Sequence, residues 1–201
     1  MSTNPSWARR ITLGVVGAAA ALGTTLVPAQ PAPPGPPAPP ANAPAAGALQ
    51  VDPGAPHEVG APIDRALVKA RALTWVDQGV PYSMEAYHPD PQGRNYRTDC
   101  SGFVSMAFHL PDSLSTVTLP EHFTPIDKGD LRPGDIIGNL GPGSAGAAGH
   151  VVIFDGWVEG SNQTRFHSIE ERGDAGAVSN ERTFGDSYWN QQGYRYNQIA
   201  D

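Results

Sequence analysis

The chain contains one cysteine, Cys100, and its neighbours decide what chemistry a lone thiol could do. It stands in Thr98-Asp99-Cys100-Ser101-Gly102, and Phe103, Val104, Ala107, Phe108 and Leu110 follow at helical spacing until Pro111 ends the run. The pattern predicts Cys100 in the first turn of a helix, with Asp99 as N-cap. Unpaired backbone N–H groups and the positive end of the helix dipole gather there, and both favour thiolate over thiol. The same N–H groups can face an oxyanion developing on a carbonyl. A merely structural cysteine would fall more naturally mid-helix on the apolar side, as a small inert hydrophobe.

A thiol that attacks a carbonyl needs a base to take its proton and a third group to orient that base. Of six histidines, His150 is the best placed. It follows the Gly- and Ala-rich stretch 141–149 and opens Val151-Val152-Ile153-Phe154, an apolar run expected as a strand buried on both faces. A His at the mouth of such a strand can meet a helix N-terminus across a cleft, and the preceding loop is placed to gate it. His57 belongs to a linker edge, His88 to a polar loop and His122 to an irregular segment, while His109 reads as a favourable charge near a helix C-terminus. No His-Glu-x-x-His pair suggests a metal hydrolase, and no Gly-x-Ser-x-Gly elbow suggests a serine hydrolase. Neither a metal nor a cofactor is expected.

The elements that must hold these groups can be read in outline. Asp64 to Gln78 carries Ala66, Leu67, Ala70, Leu73 and Val76 as the apolar side of a helix that Gly79 stops. Leu131-Arg132-Pro133-Gly134-Asp135-Ile136-Ile137 reads as a turn into a buried strand. Gly160-Ser161-Asn162-Gln163 reads as a hairpin tip with Arg165 to Glu171 returning, and Ala177–Phe184 and Tyr194–Gln198 as further strands. Helices followed by antiparallel strands make an α+β plan.

Ahead of this domain, Arg9 and Arg10 precede an uncharged stretch from Ile11 to Val27 and then Pro28-Ala29, the order of a secretory signal peptide over residues 1–29. The stretch is short and weakly apolar for the alternative, an uncleaved anchor. Residues 30–60, with ten prolines between Gln30 and Pro56, are expected as an extended spacer that leaves 61–201 as one domain. The formal net charge of −7 becomes −9 once the two signal arginines are gone, and no basic run follows, which argues against nucleic acid or anionic membrane as a partner. An exported chain with one cysteine forms no internal disulfide, so the thiol is either buried and inert or at work.

Four pieces, in this order, resemble the NlpC/P60 family of papain-like cell-wall peptidases: Pro81-Tyr82, Asp99-Cys100-Ser101-Gly102-Phe103-Val104, Leu131-Arg132-Pro133-Gly134-Asp135 and His150-Val151-Val152-Ile153. The resemblance implies a papain-like α+β fold, N-terminal helices packed on a small antiparallel sheet. It implies Cys100 as nucleophile, His150 as base, a third polar residue on the next strand, and Tyr82 near the thiol, with Asp99 and Ser101 beside it for substrate or oxyanion. It also implies cleavage of peptidoglycan stem peptides, commonly at the bond from D-isoglutamate to diaminopimelate. The expected setting is secreted or in a bacterial cell wall, as a monomer with no stable membrane association after signal cleavage.

Two departures stand out. Ser83-Met84-Glu85-Ala86 replaces the family's aromatic and paired glycines, so the groove beside Tyr82 is expected to be reshaped, and Val152 stands where the family often has Gly. For the third residue, family pattern points to His167 in Phe166-His167-Ser168. Strand geometry favours Glu170: a hairpin centred on Ser161-Asn162 puts His150 opposite Gly173, and the family's orienting residue lies about three positions before that partner. A shift of one or two residues reverses the order. A thiol amidase or acyltransferase on another amide would use the same parts, and a non-catalytic wall-binding module with the same fold is the reading from another class.

Overall fold

The computed structural model describes residues 51–185 and 189–201, so the expected signal peptide and most of the expected linker lie outside the described residues. In chain order the elements are β1 (Ile63–Asp64), α1 (Arg65–Gln78), β2 (Tyr87–Pro89), β3 (Asn95–Arg97), α2 (Cys100–Ala107), β4 (Phe123–Ile126), β5 (Ile136–Asn139), β6 (His150–Trp157), β7 (Arg165–Arg172), β8 (Gly176–Thr183), β9 (Gln192–Tyr196) and β10 (Ile199–Ala200). The chain is α+β. Six strands form one antiparallel sheet in the order β4-β9-β5-β6-β7-β8, and β1-β10 and β2-β3 are small separate pairs. Among the described residues no helix is long and apolar enough to cross a membrane.

The ends of α1 follow the expected signals: Asp64 accepts the Leu67 N–H at 2.7 Å, and Gly79 closes the helix in the left-handed conformation that glycine adopts at little cost. The face it buries is different from the expected one. Leu67, Val68, Arg71, Ala72 and Trp75 are buried, so of the five apolar positions read from the sequence only Leu67 is fully inside. Arg71 displaces the pattern because its charge is answered. Its guanidinium donates to the buried Asp90 carboxylate at 2.7 Å, to the Met106 carbonyl and to Gln92.

Strand alternation divides the core into two. Val68, Trp75, Phe103, Val104, Val151, Ile153 and Ile169 pack between the helices and the sheet, while Ile137, Val152, Phe154, Phe166 and Trp189 form a second cluster. The β6–β7 hairpin turns where expected, with Asn162 and Gln163 at positive φ. It pairs Gly156 with His167 near the tip, then Phe154 with Ser168 and Ile153 with Ile169, so one extra residue, Asp155, is accommodated as a bulge.

Residues 51–60, assigned above to the linker, lie along the domain. Val51 packs against the first core, the Ala55 carbonyl accepts the Gln92 amide at 2.7 Å, and the Gly60 N–H reaches the His109 carbonyl at 2.9 Å. His109 is not a helix-end charge. It is buried at positive φ, its Nδ1 is 3.2 Å from His57 Nδ1, and burial followed by the Arg71 charge pushes it down to about 4, so the ring is neutral.

Candidate active site

Asp99, as expected, caps α2, its Oδ1 accepting the Gly102 N–H at 2.7 Å, which places Cys100 as the first residue of the helix. Gly102 is required there, because a Cβ would stand 2.0 Å from the Arg97 carbonyl oxygen. Arg97, which the sequence reading overlooked, donates to Asp99 Oδ2 at 2.7 Å, to Ser101 Oγ at 3.1 Å and to the Leu114 carbonyl. A cleft of about 220 Å³ opens at this point, lined by Tyr82, Met84, Arg97, Asp99, Cys100 and Ser101. Tyr82 is close enough for Cys100 and Asp99 to raise its hydroxyl, after burial itself. All three expected contact residues, Tyr82, Asp99 and Ser101, therefore gather round the thiol.

Cys100 is 6 % exposed, and the backbone N–H groups of Ser101 and of Val151, the residue beside His150, lie close enough to its sulfur to favour the thiolate. Helix start and strand start thus meet at the thiol. Its ionisation runs against the expectation drawn from the helix dipole. Burial pushes the Cys100 thiol up to about 12, with the Asp99 carboxylate the next cause; the two N–H groups and Arg97 oppose it without prevailing. The residue that caps the helix also brings the charge that holds the proton on sulfur.

His150 opens β6 opposite Asn139 of β5. The preceding Gly149 could carry no side chain, since a Cβ would lie 2.1 Å from the Ser144 carbonyl oxygen. The loop 141–149 is clasped rather than loose: Thr116 Oγ donates to the Ser144 carbonyl at 2.7 Å and the Gly141 N–H to the Thr116 carbonyl at 2.9 Å.

Of the two candidates for third residue, the structure brings Glu170 to the imidazole: His150 Nε2 donates to Glu170 Oε2 at 3.0 Å. His167 is exposed and pairs with Gly156 and Glu181 on neighbouring strands. Beyond the bulge the register continues from Ile153↔Ile169, which sets His150 across from Arg172 rather than Gly173. Glu170 is wholly buried, and Ser168 Oγ at 2.8 Å, Asn180 Nδ2 at 3.3 Å and Arg182 Nε at 2.7 Å all donate to its Oε1. Burial alone would raise this carboxyl, but the hydrogen bonds from His150 and Arg182 and the guanidinium charge outweigh it and hold the group down at about 2.

Arg182 also reaches Glu170 Oε2 at 2.5 Å and lies 3.3 Å from His150 Nε2. Trp189 covers this group, its ring edge-on to His150 at 5.2 Å and under the Arg182 guanidinium at 5.5 Å. The sequence held a signal for Arg182 and Asn180: β8 pairs them with Phe166 and Ser168, on the face of Glu170, once the turn at Gly173–Gly176 is taken as a hairpin. Trp189 had none, because the loop that carries it has no period. Glu171 was also overlooked. It is wholly buried with both carboxylate oxygens unpartnered in the protein, and burial, then Asp99, raises it to about 8.

Among the described residues no group of three or more His, Cys, Asp or Glu side chains is arranged to hold a metal ion. The arrangement offers a thiol at a helix start, an imidazole oriented by an ionised carboxylate, and a polar cleft. No protein-family model and no curated protein matches the chain.

Proposed function

We propose that this chain is an exported cysteine hydrolase of the papain-like NlpC/P60 type, cutting peptide bonds in peptidoglycan stem peptides, with the D-isoglutamyl-diaminopimelate bond as its target. The observation that carries the reading is the His150–Glu170 hydrogen bond of 3.0 Å on the strand whose next residue, Val151, brings its N–H close enough to the Cys100 sulfur to favour the thiolate. With the Nε2 proton engaged by Glu170, the Nδ1 lone pair is left to accept a proton. The thiol gives its proton to His150 as sulfur adds to the substrate carbonyl, and the N–H groups at the start of α2 meet the oxyanion. His150 then protonates the leaving amine, and water hydrolyses the thioester.

Because the free thiol is neutral, proton transfer accompanies attack instead of preceding it. The test is incubation of the purified protein with cell walls and mass spectrometry of the soluble fragments. Wild type releases new muropeptides, and a folded Cys100→Ala variant that releases the same ones refutes the catalytic reading. The buried neutral thiol is also what a non-catalytic wall-binding module would carry. That second reading expects wall binding without fragments from either protein.

A further inference from the structure

Glu170 places a negative charge where its side chain is 0 % exposed, and a buried charge must be answered by an opposite one. Two candidates touch the carboxylate. Arg182 grips it in a fork, Nε on Oε1 at 2.7 Å and Nη2 on Oε2 at 2.5 Å, while His150 Nε2 meets Oε2 at 3.0 Å. If His150 were the counter-ion, it would rest as an imidazolium with no lone pair to offer, and a base that is already protonated can take nothing from a thiol. We propose that Arg182 is a positioning residue that serves as the counter-ion of Glu170, so that His150 rests as a neutral imidazole with its proton on Nε2.

The geometry carries this in two ways. Arginine stays protonated throughout the range in which proteins fold, and its planar fork matches both carboxylate oxygens, which a histidine cannot do. The 3.3 Å contact between Arg182 Nη2 and His150 Nε2 brings the guanidinium charge against the ring, which disfavours a positive charge on the imidazole. The groups round the imidazole are Glu170 from β7, Arg182 from β8, Asn139 on β5, the Trp189 ring and, past Val151, the Cys100 thiol of α2. Trp189 lies against both His150 and Arg182, so the three-way contact is shielded from water and its charges are little screened.

The inference rests on His150 being the base of the proposed hydrolase, but its test does not. In protein labelled with nitrogen-15 histidine at pH 7, with signals assigned through His150→Gln, wild-type His150 shows one protonated nitrogen, Nε2. Arg182→Gln keeps a hydrogen-bond donor but loses the charge, and shows the imidazolium pattern with both nitrogens protonated. Arg182→Lys restores a neutral ring. In the same proteins the rising limb of the pH profile for fragment release moves up by a unit or more in Arg182→Gln and not in Arg182→Lys. A neutral His150 in folded Arg182→Gln overturns the counter-ion role. So does an imidazolium in wild type, a measurement that needs no variant to fold. The expected nitrogen pattern with no fragments released from walls supports the role of Arg182 and refutes the hydrolase.

Discussion

Alkylation of Cys100 is the direct measure of the balance that burial and charge strike at the thiol. The structure raises the group from 9.0 to about 12, a difference of about 3 units, or roughly 4 kcal/mol against the thiolate. At pH 7.4 that leaves roughly 3 in 100,000 molecules ionised, against about 2 in 100 for a thiol at 9.0. Iodoacetamide should therefore label native Cys100 about a thousand times more slowly than a small-molecule thiol, or more slowly still given its 6 % exposure. The logarithm of the rate should climb with unit slope from neutral pH to above about 10. Asp99→Asn retains a good N-cap and deletes the charge that ranks after burial, so its labelling should be about tenfold faster at every pH in that range. The assay is mass-spectrometric quenching of timed samples, with denatured protein as the reference. A rate that levels off near neutral pH would refute the reasoning, since it would mean a standing thiolate–imidazolium pair and a helix start strong enough to overcome both burial and Asp99.

Two further outcomes follow from groups inside the fold. Glu171 is raised from 4.5 to about 8, so the unfolded chain loses this proton first; the stability it supports is complete below about 4.5 and is lost as pH rises to about 8, some 3 to 5 kcal/mol in urea unfolding that Glu171→Gln should abolish. Equal slopes for the two proteins would exclude Glu171 as the source. Arg71→Met leaves the Asp90 carboxylate buried without its partner and should cost about 3 to 5 kcal/mol, part of which Asp90→Asn in the same chain restores, as read by thermal or urea unfolding.

What could be read without coordinates was local. Asp99 before Cys100, Gly79 after the first helix and the Gly160–Gln163 tip each act on their immediate neighbours, so the helix starts, the stop and the hairpin were all legible. The buried face of α1 was not, because Arg71 belongs inside only when Asp90, 19 positions away, comes to meet it. The state of the thiol was misjudged for a related reason. Capping and dipole are visible in a pentapeptide, but the burial that dominates them needs the packing of α2 on the sheet. The grip of Arg182 on Glu170 depended on strand register, and the cover of Trp189 on a loop whose course no periodicity announces.

The extra residue in β6 has a consequence for which acid serves the imidazole. Opposed residues of an antiparallel pair share a face, and adjacent residues do not. Had Gly156↔His167 set the register throughout, His150 would stand on the side of His167 and Glu171; the offset after Asp155 puts it on the side of Glu170 instead. A regular register that took Asp155 into the ladder, in place of the bulge, would exchange the two glutamates. The acid tied to Arg182 would turn beneath the helices, and the one with no partner would take its place beside the imidazole.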